Sequence, residues 1–187
     1  MQVSDLKDNR PLLIVGLGNT GNTYLSNRHN AGFLFVDYFI KKLQKLNKDL
    51  IYTQKKLYEL VKSQEEQIFL VKPLTMMNNS GLAVKEFFKY TNLPLNSMVL
   101  VFDDLDIPLG TFKLQQGKTP KGHNGVNSIT DSLNTKNFYN LRLGIENRTN
   151  KKIGGVTYVL DNFLPEELLV FEKVVKTIIS QILYLNS

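Results

Sequence analysis

The chain has 187 residues, 42% of them hydrophobic, which suits one domain with a proper core. It contains no cysteine, which excludes disulfides, thiolate metal sites and a cysteine nucleophile and fits a reducing compartment. Lysine and arginine outnumber the acids 23 to 17, a net charge of +6, so the surface suits a polyanionic partner.

The first ten residues, MQVSDLKDNR, hold no apolar stretch of the signal-peptide kind. They read as an N-terminal extension, 1–10, ahead of a single domain at 11–187. No apolar run reaches the ~18 residues of a membrane span, so the expected setting is cytoplasmic and away from membranes. Residues 12–16, LLIVG, read as a buried strand. Gly16, Gly18 and Gly21 then spell G-x-G-x-x-G. A dinucleotide-binding loop starts its helix within that motif and places an acid about 20 residues on, after a second strand. Here the polar run NTYLSNRHN follows, helical periodicity starts only near Ala31, and Asp37 falls inside the helix. The glycines therefore argue for something other than a dinucleotide.

Residues 31–46 read as a helix, with Phe35, Tyr38 or Phe39, Leu43 and Leu46 recurring at helical spacing. KLYELVKSQEEQIFLVKP reads as two strands joined at SQEE, and 79–90 as a short helix. Residues 97–102, SMVLVF, and then TFKLQ read as strands, 125–133 as a helix and FYNLRLGI as a strand. Pro165, Glu166 and Glu167 open a C-terminal helix, as expected for proline and acids in a first turn. This alternation predicts an α/β domain with a mixed, mainly parallel β-sheet flanked by helices on both faces.

The chain has two histidines, His29 and His123. Each precedes a predicted helix, and each is followed by asparagine, in RHNAG and GHNG. A single histidine in that place is ordinarily a cap or a surface residue; the repeated context argues for more. Sites in α/β sheets form on loops at the C-terminal ends of strands. One such loop carries Asn19 and His29, a second carries Met77 and Asn78, and a third places Asp103 just beyond its strand. A fourth loop, KGHNG, supplies Asn124. Taken singly, the asparagines fit turns or caps. Asp103, Asp104 and Asp106 fit a solvated turn, or Mg²⁺ with oxygen ligands from elsewhere. Two histidines without cysteine do not make an ordinary closed zinc site, so no metal is expected.

Together these groups suit hydrolysis. A carboxylate fixes an imidazole's tautomer, and the other ring nitrogen takes a proton from water, an effect of roughly 10²–10⁴-fold. Asparagine amides donate to a developing oxyanion, and their carbonyls hold water. No serine stands in a G-x-S-x-G elbow, which favours water attack over an acyl-enzyme. An ester suits such a site better than an amide, because an alkoxide leaves more easily than an amine.

The pieces LIVGLGNTGNTYLSNRHNAGFLFVD, LVKPLTMMNNSG, VFDDLDIPLGTFKL, KGHNGVNSI, NFYNLRLGI and YVLDNFLPEE run in one order from about 13 to 167. As a set they resemble the bacterial-type peptidyl-tRNA hydrolase family. The resemblance implies a monomeric α/β enzyme without a cofactor. Its partner would be peptidyl-tRNA, whose ester between peptide and 3′-terminal ribose it would cleave. It implies His29 as catalytic base, Asp103 as its orienting acid, and Asn19 and Asn78 as positioning residues. Asn124 would hold water or the oxyanion, and Tyr24 and Met77 would wall the substrate groove. Lys113 and Arg142 would hold tRNA phosphate, and Lys121 would add a charge beside the site that helps to bind the RNA backbone.

The chain departs from the family pattern at four places. Thr20 stands for a proline, Lys121 for a glycine, and Thr111 and Gln115 where many members carry a base. A rival reading is an RNA-binding relative that has lost catalysis; the intact His29, Asp103 and asparagine set favours the enzyme.

Overall fold

The fold is a computed structural model that describes residues 2–8, 11–120 and 122–183. Seven strands form one sheet: β1 (Leu12–Gly16), β2 (Leu50–Gln54), β3 (Tyr58–Ser63), β4 (Ile68–Pro73), β5 (Met98–Pro108), β6 (Phe112–Gln116) and β7 (Tyr139–Glu146), in the order β2-β3-β4-β1-β5-β7-β6. The central strands β4, β1, β5 and β7 are mutually parallel. The β2-β3, β3-β4 and β6-β7 pairs are antiparallel. The expected mixed sheet with a parallel centre is thus present.

Period-two alternation explains why both faces are covered. On β1, Leu12 and Ile14 enter one core while Leu13 and Val15 enter the other. On β5, Val99 and Val101 face the first core, and Met98, Leu100 and Phe102 the second. The first core is covered by α1 (Ala31–Lys45) and α5 (Pro165–Leu183), through Phe35, Phe39 and Leu43 of one and Phe171, Val175, Ile178 and Ile182 of the other. The second is covered by α2 (Ser80–Lys89), through Val84 and Phe87, and by α3 (Asn124–Leu133), through Val126 and Ile129.

The glycines after β1 serve this packing. A Cβ on Gly16 would lie 2.2 Å from the Gly32 carbonyl oxygen, and one on Gly32 would lie 2.2 Å from that of Val101. The first turn of α1 therefore presses directly on β1 and β5, and Phe33 donates its N–H to the Leu17 carbonyl at 3.1 Å. The motif is a close-packing device for the base-bearing loop.

The structure adds detail to these expectations at four places. The stretch assigned to an extension forms a 3₁₀ turn, Val3–Asp8, whose Val3 and Leu6 are buried in the first core. A strand at Leu50–Gln54 was not expected; it is a sheet edge whose side chains are largely exposed, so it lacks the buried pattern that marks strands. A six-residue helix, α4 (Gly155–Leu160), arises from a β-branched sequence, GVTYVL, that has low helix propensity. Finally, β5 runs on to Pro108, so Asp103 and Asp104 lie within the strand. Pairing with β7 continues through Asp104 and Gly144, which carries the acids into the site on rigid backbone. No helix among the described residues is long and apolar enough to cross a membrane.

Candidate active site

The C-terminal ends of β1, β4 and β5 open into a cleft of about 610 Å³. Asn19, Tyr24, His29, Met77, Asn78, Asp103, His123 and Asn124 line it, so the structure gathers residues separated by more than a hundred positions. His29 sits on the 3₁₀ turn Arg28–Asn30 that leads into α1. Its Nδ1 lies 2.9 and 3.0 Å from the two oxygens of Asp103. Asp103 is 3% exposed and held by β5. An ionised carboxylate only accepts, so Nδ1 carries the proton and Nε2 is left with a lone pair.

His123 completes this network. It caps α3, its Nδ1 accepting the Val126 N–H at 3.4 Å. That fixes Nε2–H as a donor, and Nε2 lies 3.2 Å from Asp103 Oδ1. Burial alone would push the Asp103 carboxyl up; the two imidazoles outweigh it and hold that carboxyl well below the usual carboxylate range. Burial alone would likewise lower His29, but the charge and hydrogen bond of Asp103 raise its pKa above the ordinary histidine value. Nδ1 of His29, Nε2 of His123 and an Asp103 oxygen lie within 4.8 Å of one another, a grouping able to hold a metal ion. A cation there would have to displace the protons that join the three side chains.

Asn19 is pinned on three sides. Asn30 accepts the Asn19 N–H at 2.8 Å and donates to its carbonyl at 3.0 Å. Asn19 Oδ1 accepts the Met77 N–H at 2.8 Å. Its Nδ2 remains a donor without a partner among the described residues. Asn30, absent from the expected set, is thus what orients Asn19; the only hint in the sequence is its place directly after His29. Asn78 and Asn124 are exposed and open on the cleft. Gly125 brings α3 onto Met77, whose Sδ would lie 2.4 Å from a Cβ there.

Lys113 and Arg142, expected to hold phosphate, are not among the residues lining the cleft. Lys113 is exposed on β6, an edge strand, directly opposite Arg142 of β7. The Arg142 side chain is only 14% exposed. Its Nε donates to buried Asp104 at 2.5 Å and its Nη1 to Gln115 at 3.0 Å. Arg142 thus neutralises Asp104 through Nε, and Gln115 serves as its second acceptor. Lys121 lies outside the described residues.

Comparison with known proteins gives the family. The sequence model of the family described as peptidyl-tRNA hydrolase matches residues 13–186. The chain is 42% identical over 172 residues to a peptidyl-tRNA hydrolase of Kosmotoga olearia, covering 90% of this chain and 87% of that one. It is 40% identical over 162 residues to that of Mycoplasma mycoides, covering 83% and 82%. The fold is similar to the crystal structure of the peptidyl-tRNA hydrolase of Acinetobacter baumannii, with a TM-score of 0.78 at 28% identity over 92% of this chain and 89% of that one. With a pinned His29–Asp103 pair at the strand ends and relatives matching along nearly the whole chain, the protein belongs to the peptidyl-tRNA hydrolase family.

Proposed function

We propose that this protein hydrolyses the ester between the peptide and the 3′-terminal ribose of peptidyl-tRNA, using water activated by His29. The observation that carries the reading is the His29–Asp103 pair in the cleft lining: Nδ1 is bound to both Asp103 oxygens, which leaves the lone pair on Nε2. Nε2 takes a proton from water, and the hydroxide adds to the ester carbonyl. The imidazolium that forms is balanced by Asp103. Amide N–H groups of Asn19 and Asn124 donate to the oxyanion, each worth on the order of 10²–10³-fold when well placed. Collapse of the adduct expels the ribose oxygen, which receives the proton from His29. Asn78, Tyr24 and Met77 position the substrate along the groove. No step draws on a metal or an organic cofactor. The enzyme is proposed to act as a monomer in the cytoplasm, with peptidyl-tRNA as its partner.

The test is hydrolysis of an N-blocked aminoacyl-tRNA by the purified protein and by His29→Ala. Turnover should fall by about 10²-fold or more while tRNA binding is retained, and free aminoacyl-tRNA should be largely spared. Equal turnover by the variant would sink the mechanism.

A further inference from the structure

Arg28 directly precedes the base and is itself buried, 4% exposed. Its Nη2 donates to Glu167 Oε2 at 2.6 Å and its Nη1 to the Tyr158 carbonyl at 3.2 Å. Its guanidinium carbon lies 4.0 Å from the centre of the Tyr158 ring. Glu167, 3% exposed, is held in turn. Its Oε2 accepts the Leu164 N–H at 2.9 Å, and its Oε1 accepts from Asn147 Nδ2 at 3.2 Å. The backbone repeats the link. Arg28 N–H donates to the Asp161 carbonyl at 3.1 Å, and Phe163 N–H to that of Ser26 at 2.9 Å. Asn27 Nδ2 donates to Asn162 Oδ1 at 2.6 Å.

The three residues before His29 are therefore stitched to the segment 158–167. That segment contains the end of α4, whose Gly155, Val156, Val159 and Leu160 wall the cleft. Tyr158 is buried from the same short helix and donates its hydroxyl to the Ile145 carbonyl at 2.9 Å. One buried cation thus ties the backbone that leads into His29 to the segment carrying the α4 wall of the cleft.

Stability alone is a poor reason for such a pair. Buried ion pairs often contribute no more than an apolar replacement of the same shape, because both charges lose water. Here Arg28 Nε is also buried without a partner, which adds to the cost. What a two-pronged buried guanidinium does provide is a single geometry. We infer that the Arg28–Glu167 clip, reinforced by Asn27 and Asn162, is a positioning device for ester hydrolysis, setting His29 against the α4 wall of the groove. Neither side chain touches the reacting atoms; both act through the backbone of the base. This inference rests on the hydrolase reading.

The test uses full-length Arg28→Lys, Glu167→Gln and Asn162→Ala beside the wild type, assayed on N-acetylated aminoacyl-tRNA well below each variant's melting temperature. Arg28→Lys keeps the charge but cannot grip Glu167 and the Tyr158 carbonyl with a planar fork. Displacing a catalytic group by about 1 Å can cost 10²-fold. For Arg28→Lys and Glu167→Gln, kcat should therefore fall by about 10-fold or more, with KM changed by less than about 3-fold because tRNA binding dominates it. The His29 imidazole Nδ1–H resonance in NMR should broaden or shift in the same variants. A purely structural pair would lower the melting temperature and leave kcat and that resonance unchanged in the folded protein; that outcome overturns the inference. If the two buried variants fail to fold, Asn162→Ala decides. Asn162 is exposed, and its loss should lower kcat by about 2- to 5-fold at constant KM, while an unchanged kcat overturns the inference. Absence of hydrolysis by the wild type would defeat the hydrolase reading and is a separate result.

Discussion

Asp103 takes bonds from two imidazoles that reach it from different parts of the chain, and this fixes the pH behaviour of the base. In the proposed mechanism His29 works only when unprotonated. With its pKa raised by Asp103, the rise of kcat/KM with pH should lie above the ordinary histidine value of about 6.5. In Asp103→Asn the raising charge is gone and burial, which lowers His29, is left. The rise should move to lower pH, while kcat falls on the order of 10²-fold or more as the imidazolium loses its counter-charge. A pH–rate profile of the two proteins checks this, and a rise that stays in place would remove Asp103 as the cause. His29 and Asp103 were legible because their loops and residue types fit base catalysis. His123 was visible as a histidine before a helix, and it is a cap. Its second bond, to Asp103, depends on where α3 lands relative to β5, which no local pattern encodes. Arg28, Asn30 and Glu167 were illegible for the same reason: each looks like an ordinary loop or helix-start residue until its distant partner is known.

Among the elements, those with a strong buried period emerged at nearly their true bounds: α1, α2, α3, β1, β4 and β7. Those missed or misplaced obey a different control. The edge strand β2 is mostly exposed, α4 is a β-branched helix held by Tyr158 and Arg28, and the end of β5 is acidic because it lies in the site. The 3₁₀ turn at Val3–Asp8 is the clearest case, being polar in sequence yet anchored by two buried side chains. Leu6 is fully buried against the first core. Leu6→Ala should therefore destabilise the protein by about 2–5 kcal/mol, as for other large-to-small core changes. Denaturant unfolding checks this; an unchanged midpoint would return these residues to the status of an extension.

For the whole molecule, the net charge of +6 is spread so that the two basic residues facing each other across β6 and β7 differ in kind. Lys113 is exposed and able to meet a phosphate. Its replacement by alanine should make the dependence of log affinity for tRNA on log salt shallower, by about 0.9 for each duplex phosphate the side chain neutralises. Titrations at several salt concentrations measure that slope, and an unaltered slope removes Lys113 from the footprint. Arg142→Ala should instead strand the buried Asp104 carboxylate, a loss of about 3–5 kcal/mol for a broken buried pair. Thermal or denaturant unfolding separates this fold defect from a role in holding RNA.

The sequence by itself determined the α/β class and a family resemblance along most of the chain, and it pointed to the strand-end loops and to a histidine, an acid and amides as the candidate site. These are carried by local periodicity, turn chemistry and residue type, which are properties of neighbours in the chain. Only the tertiary structure decided which groups share protons, which basic side chain is free, and what holds the base in place. Those depend on the register of β5 against β7 and on the landing of α3, α4 and α5. The chain closes such pairings over long separations, as between Arg28 and Glu167, where the partner is chosen by packing and desolvation in the folded core.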